Sequence, residues 1–201
     1  MNLNYPLILG SKSPRRKEIL TKAGFEFSTE AKDTEESYPV DMPHTEVAAF
    51  LAEKKAKAFA EDEKYTDKII LTADTTVLID NELLEKPQDE NEAFSMLSKL
   101  SGRAHQVVSG FCVLFNGQFQ KYSDETLVYF NLIKEEVIWE YIRNHKPFDK
   151  AGAYGIQEGI GLTHIEKLEG SYFTVMGLPI HKVYQALSQF QPQRNEGAQS
   201  K

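Results

Sequence analysis

The chain reads as a mixed α/β fold, one central sheet flanked by helices. Strand and helix patterns alternate along its 201 residues. Two long β-rich runs meet at Asn116-Gly117, a strong short-range hairpin signal. The composition is 41% hydrophobic with 12 Phe, 9 Tyr and 1 Trp, ample for a packed interior. The length suits one domain, or two intimate lobes sharing a core. Residues 1–190 are expected to form that domain, and the polar stretch 191–201 a disordered tail.

Leu7-Ile8-Leu9 reads as a buried strand that stops at Gly10. Ser13 suits an N-cap and Pro14 the first helical position, so a helix runs from Pro14 to Ala23 and ends at Gly24. Residues 29–43 are polar loop and carry Glu35 and Glu36. From Thr45 to Ala60, Val47, Phe50, Leu51 and Ala58 mark one face of an amphipathic helix, with Lys54, Lys55 and Lys57 on another. Lys68 to Thr72 is β-rich and ends at Asp74; Thr76 to Ile79 resumes the strand. Asp80-Asn81 is a turn returning through Leu83-Leu84 to Glu85-Lys86-Pro87.

Asp89 and Glu92 resemble a capping box ahead of Ala93, Met96, Leu97 and Leu100 at helical spacing. Strands follow over Val107–Phe115 and Phe119–Phe130, then a helix from Lys134 to Asn144. The glycine-rich segment Ala151–Gly161 precedes a strand over Leu162–Leu168, and the last helix spans Pro179–Phe190.

A net charge of −7 argues against a nucleic-acid polymer as partner, since such proteins usually carry a basic footprint. A small anionic ligand fits, because a local basic cluster works inside an acidic protein. Cys112, between Phe111 and Val113, is the one cysteine and reads as a buried structural thiol. No stretch has the length of a membrane span and no secretory pattern opens the chain, so a cytoplasmic, membrane-free protein is expected.

Lys12, Arg15 and Arg16 lie at the start of the first helix, where the dipole disfavours cations. That conflict, with Ser11 and Ser13 beside them, points to a phosphate cradle, although no P-loop motif occurs. A solvated basic turn is the plainer alternative. Asp74 is placed at a strand end, where open α/β sheets put ligand groups; the same residue type also forms turns there. Glu35, Glu36, Lys55 and Lys86 suit either a site or a solvated surface. The run Asp149 to Gln157, with small residues around Tyr154, suggests main chain passing close to something, or a tight crossover.

Taken together these blocks resemble the Maf family of nucleotide pyrophosphatases. The matching residues are Ser11-x-Ser13-x-Arg15-Arg16, Ala73-Asp74-Thr75, Glu85-Lys86-Pro87 and Leu100-Ser101-Gly102-Arg103-x-His105-x-Val107. They continue with Asp149-Lys150-Ala151-Gly152-Ala153-Tyr154-Gly155-Ile156-Gln157, Glu169-Gly170-Ser171-Tyr172 and Gly177-Leu178-Pro179. The resemblance implies a Maf/inosine-triphosphatase-like fold with a cleft between two lobes. It implies hydrolysis of a nucleoside triphosphate to a monophosphate and pyrophosphate, aided by a divalent cation, Mg²⁺ or Mn²⁺.

By the same resemblance the catalytic acid maps onto Asp74, with Glu36 and Asp74 toward the metal and Ser11, Arg16, Lys55 and Lys86 toward substrate. Arg15, Thr75 and Gln157 resemble the branch that acts on dTTP and UTP. A homodimer and a link to division arrest are also implied. Two alternatives stay open at this point: a non-catalytic division regulator, and a house-cleaning pyrophosphatase with another base preference.

Overall fold

The computed structural model describes residues 2–192, so the expected tail lies outside the described residues from position 193 on. Within them, β1 (Leu7–Leu9), α1 (Pro14–Lys22), β2 (Ser28–Thr29), α2 (His44–Ala60), β3 (Ile69–Ile79) and β4 (Glu82–Leu84) come first. Then follow α3 (Glu90–Leu100), β5 (Ala104–Phe115), β6 (Gln118–Phe130) and α4 (Glu135–His145). The chain continues through α5 (Gly159–Thr163), β7 (Ile165–Glu169), α6 (Tyr172–Met176) and α7 (Ile180–Ser188).

Local chemistry explains the boundaries. Ser13 caps α1 by accepting from the Arg16 N–H, with Pro14 at the first turn. Asp89 caps α3 through the Glu92 N–H at 2.9 Å, and Glu92 reaches back to the Gln88 N–H at 2.7 Å. Asn116 and Gly117 both take positive φ, 48° and 74°, as a two-residue hairpin turn requires. Asp80 and Asn81 do the same between β3 and β4, at 52° and 61°.

Three expectations need correction. Asp74 does not end a strand: β3 runs unbroken from Ile69 to Ile79, because its paired register with β5 extends from Ile70 to Leu78. Its polar residues are accommodated inside the sheet, with Thr72 Oγ1 donating to Ala52 O at 2.6 Å. Residues 159–163 are a short helix, so the last strand begins at Ile165 and not at Leu162. Helix α6, five residues long, was too short to show a period, and α7 stops at Ser188.

Among the described residues seven strands form one mixed sheet in the order β2-β1-β3-β5-β6-β7, with β4 also on β3. β1 is parallel to β2 and β3; the remaining pairs are antiparallel. Helix α2 lies on one face, its Ala52, Ala56 and Phe59 packed with Ile8, Ile70 and Cys112. On the other face, Leu71 and Ala73 pack with Ile19, Leu20 and Leu187 of α1 and α7. Further along, Val77 and Val107 pack with Leu97, Leu100 and Ile142 of α3 and α4. Cys112 is fully buried, and burial pushes its thiol up to about 12, in keeping with a structural role.

One feature of β3 positions everything that follows. β5 holds one edge of the strand from Ile70 to Leu78. The opposite edge is shared: β1 pairs with Ile69–Leu71 and β4 with Val77–Ile79. Between them, Thr72 to Thr76 have no strand partner on that edge among the described residues. The break is centred on Asp74.

Opposite Asp74 in the ladder stands Gly110. A Cβ there would lie 2.2 Å from Ala49 N and 2.4 Å from Ala48 C, in the main chain of α2. Glycine therefore sets how closely α2 approaches the sheet. Gly110→Ala is expected to cost about 3 kcal/mol or more, at the upper end for overpacking, since neither backbone can yield cheaply. Urea unfolding measures it; a loss below about 0.5 kcal/mol, ordinary for a surface change, would show that α2 has room to move.

Candidate active site

The close approach of α2 brings Lys55 to the break in the β3 edge. Lys55 Nζ lies 3.0 Å from Asp74 Oδ2 and 2.8 Å from Glu36 Oε1, and Glu36 Oε2 accepts from Lys86 Nζ at 2.7 Å. Asp74 Oδ1 accepts from the Thr75 N–H at 2.8 Å, which satisfies a donor on the open strand edge. The loop carrying Glu36 is tied to α2 by Lys54 on Ser37 O at 3.0 Å and by Lys32 on Ala58 O at 2.7 Å.

Asp74 and Thr75 are successive strand residues and face opposite sides of the sheet. Lys55 meets Asp74 from the α2 side, while Arg16 of α1 meets Thr75 from the other. Arg16 Nη2 donates to Thr75 Oγ1 at 3.2 Å, Nη1 to Ser11 Oγ at 3.3 Å and Nε to Gly177 O at 2.8 Å. Burial lowers the Arg16 pKa, an effect the charges of Asp74 and Glu36 partly offset. Thr75 Oγ1 also lies 2.8 Å from Ser109 Oγ, so its hydroxyl is engaged on both sides.

A cleft of about 370 Å³ opens over this break. Its lining includes Ser11 to Arg16, Glu36, Lys55, Asp74, Lys86, Asp149, Tyr154 and Gln157. Arg15 crosses the cleft to Asp149 Oδ2 at 3.1 Å, from 134 residues away. Gln157 Oε1 is buried and has no hydrogen-bond partner among the described residues. Cationic groups thus share the cleft lining with Gln157, whose amide oxygen is buried and unpartnered among the described residues.

A match to the Maf-like protein family covers residues 6–190. The chain belongs to the Maf family. Similar relatives include the dTTP/UTP pyrophosphatase of Porphyromonas gingivalis strain W83, 44% identical over 188 residues, covering 92% of this chain and 94% of the relative. The dTTP/UTP pyrophosphatase of Flavobacterium johnsoniae is 44% identical over 184 residues, covering 92% and 94%. That of Cytophaga hutchinsonii is 41% identical over 191 residues, covering 94% and 87%. No helix among the described residues of this Maf-family chain is long and apolar enough to cross a membrane.

Of the positions singled out in the Maf motifs, Ser11, Ser13, Arg15, Arg16, Glu36, Lys55, Asp74, Thr75, Lys86 and Gln157 all border this one cleft. Ser13 spends its hydroxyl on the α1 cap. Lys12 borders the cleft and pairs with the exposed Asp33 at 2.6 Å, while Glu35 is exposed outside it. Asp149, Ser109 and the Gly177 carbonyl had no assigned role. The charged pair Asp149-Lys150 ahead of the glycines was a usable signal; a strand serine and a main-chain carbonyl carry none.

Among the described residues no group of three or more His, Cys, Asp or Glu side chains converges to hold a metal. Glu36 and Asp74 do converge, on the Lys55 ammonium. Mg²⁺ is usually held by one or two carboxylates, with water and substrate phosphate completing the shell, and this donor set fits that mode. Burial would raise the Glu36 pKa, but hydrogen bonds and charge from Lys55 and Lys86 win and bring it down from 4.5 to about 2.

A folded-state pKa below the unfolded one stabilises the protein above pH 4.5, and the gain is lost as pH falls toward 2. In Glu36→Gln the melting temperature should therefore be lower at neutral pH, and the gap to wild type should close between pH 4.5 and 2. Melting curves across that range test it; a gap that does not vary with pH would mean that the ion pairs add nothing to stability.

Proposed function

We propose that this chain is a nucleoside triphosphate pyrophosphatase that cleaves dTTP and UTP to the nucleoside monophosphate and pyrophosphate. The observation that carries the reading is the meeting of Asp74 and Glu36 on Lys55, beside Arg15, Arg16 and Lys86, in one cleft. The relatives named dTTP/UTP pyrophosphatase support it.

A triphosphate repels an incoming nucleophile, and charge on its oxygens must be offset where it builds up. Lys55, Lys86, Arg15 and Arg16 supply fixed donors for that purpose, with Arg16 held still by Ser11, Thr75 and Gly177. A divalent cation held by Glu36 and Asp74 would supply Lewis-acid polarisation of phosphate oxygens. Asp74 is the base in this reading. Its Oδ1 is anchored on the Thr75 N–H, which leaves Oδ2 as the proton acceptor once Lys55 turns to phosphate. Water oxygen adds to phosphorus at the α–β anhydride, the bridging P–O bond breaks, pyrophosphate departs and the water proton passes to Asp74.

Thymine and uracil present carbonyl acceptors on either side of an N3–H donor. The Gln157 amide suits that edge once its buried, unpartnered Oε1 turns to the cleft: the oxygen meets the N3–H and the NH₂ a neighbouring carbonyl. An amide held in this orientation would meet cytosine with its oxygen against the N3 acceptor and its NH₂ against the 4-amino group, leaving both unpaired, which is costly when buried.

Asp74→Asn should lower turnover about 10²- to 10⁴-fold, the usual contribution of a positioned base, with a little-changed melting curve. Single-turnover assays with Mg²⁺ and UTP check it; near-normal turnover in the folded variant would remove Asp74 from the chemistry. With a panel of nucleotides, dTTP and UTP should lead ATP, GTP and 7-methyl-GTP, and Gln157→Glu should erode that lead. Equal efficiency on purines and pyrimidines, or release of orthophosphate and a diphosphate, would defeat the assignment.

A further inference from the structure

Along the cleft wall runs a chain of polar groups that, beyond Arg15, the reaction itself does not use. It starts at Arg15, whose Nη1 reaches Asp149 Oδ2 at 3.1 Å. Asp149 Oδ1 accepts from Lys150 Nζ at 2.9 Å, and the same ammonium lies 3.0 Å from Glu158 Oε1. Glu158 Oε1 also accepts from the Tyr141 hydroxyl at 3.0 Å. The hydroxyl oxygen in turn accepts from the Gly155 N–H at 3.1 Å. The chain therefore ends on main chain two residues before Gln157.

Its members are well buried where it matters. Lys150 is 8% exposed and Tyr141 3%. An ammonium in that position is tolerable only with countercharge, which Asp149 and Glu158 supply from both sides. Burial and the Glu158 charge raise the Tyr141 pKa, so the phenol keeps its proton and donates it to Glu158. The Glu158 side chain folds over Gly155, within 3.0 Å of where a Cβ would stand. At Gly161 a Cβ would lie 2.0 Å from Gly155 O, so α5 clamps the same segment from below. Gln157 is thus carried on main chain fixed on both sides, while its own Oε1 is left without a partner.

We propose that Glu158 and Tyr141 are positioning residues for nucleobase selection: they set Gln157 in one register for a pyrimidine bearing an N3–H. This rests on the dTTP/UTP reading above. A network of this kind holds or fails as a unit, because each buried member leaves the next unpaired when lost. Loosening it shifts the Gln157 amide relative to the base edge but leaves Asp74, Lys55 and Arg16 in place, since none of them belongs to the chain.

The test measures pyrophosphate release from UTP and CTP by wild type, Tyr141→Phe and Glu158→Gln, each also in a Gln157→Ala background. The UTP KM should rise about tenfold and the UTP-over-CTP preference fall by about the same factor, the worth of one good hydrogen bond, with kcat within about threefold. In the Gln157→Ala background the further fall in preference should vanish, because the two changes act through one amide. Three results would overturn the proposal: an unchanged preference in folded variants, the same fall without Gln157, or an equal loss on both nucleotides with a lower melting temperature. A wild type indifferent to UTP and CTP would defeat the pyrimidine reading itself and this inference with it. A selective wild type with equally selective variants defeats this inference alone.

Discussion

The interrupted edge of β3 is the constraint from which the rest of the site follows. A strand edge with no partner is a hazard, since its N–H and C=O groups invite pairing. Here the interruption covers only Thr72 to Thr76, between the short strands β1 and β4. Asp74 answers part of the problem itself by accepting from the Thr75 N–H. The break also lets groups from both faces of the sheet meet in one place. Lys55 arrives from α2 and Arg16 from α1, although Asp74 and Thr75 point to opposite sides. In a continuous sheet the backbone would keep them apart.

Close packing makes the arrangement stiff. Gly110, with Ala48 and Ala52 facing the sheet, seats α2 tightly enough for Thr72 Oγ1 to reach the Ala52 carbonyl. Lys55 lies on the same helix and inherits that precision. On the other side, Arg16 is held by three oxygens, one from Ser11 in the adjoining loop and two from the distant Thr75 and Gly177. Side chains whose partners are already fixed lose little freedom when a ligand arrives, and that favours both binding and catalysis.

The site mixes charge signs in a way that composition conceals. The chain carries −7 overall, yet Arg15, Arg16, Lys55 and Lys86 share one cleft with Glu36 and Asp74. Each cation in it is paired with a carboxylate or a fixed dipole. An incoming polyphosphate therefore exchanges one set of partners for another and does not enter a bare basic pocket. The depressed pKa of Glu36 is the electrostatic sign of that arrangement.

Much of the fold was written locally. The Ser13 cap, the Asp89–Glu92 pair and the Asn116-Gly117 turn are short-range devices, and each formed where the residues call for it. The Maf motifs named the residues that line the cleft, because residue type at fixed spacing is information the chain states outright. Local sequence alone puts Asp74 at a strand end, since its charge and the threonines around it look like a break. Pairing with β5 overrides that local preference, and the true break lies in the neighbouring edge, which no single strand's sequence records. The Arg15–Asp149 contact, the hold of Ser109 on Thr75 and the path from Glu158 to Gly155 join residues far apart in the chain or carried by different elements. The sequence determined which groups are present and which turns and caps form, because those interactions close within a few residues. Which groups meet was decided only by the packing of helices on the sheet, where distances are fixed by contacts from the whole chain.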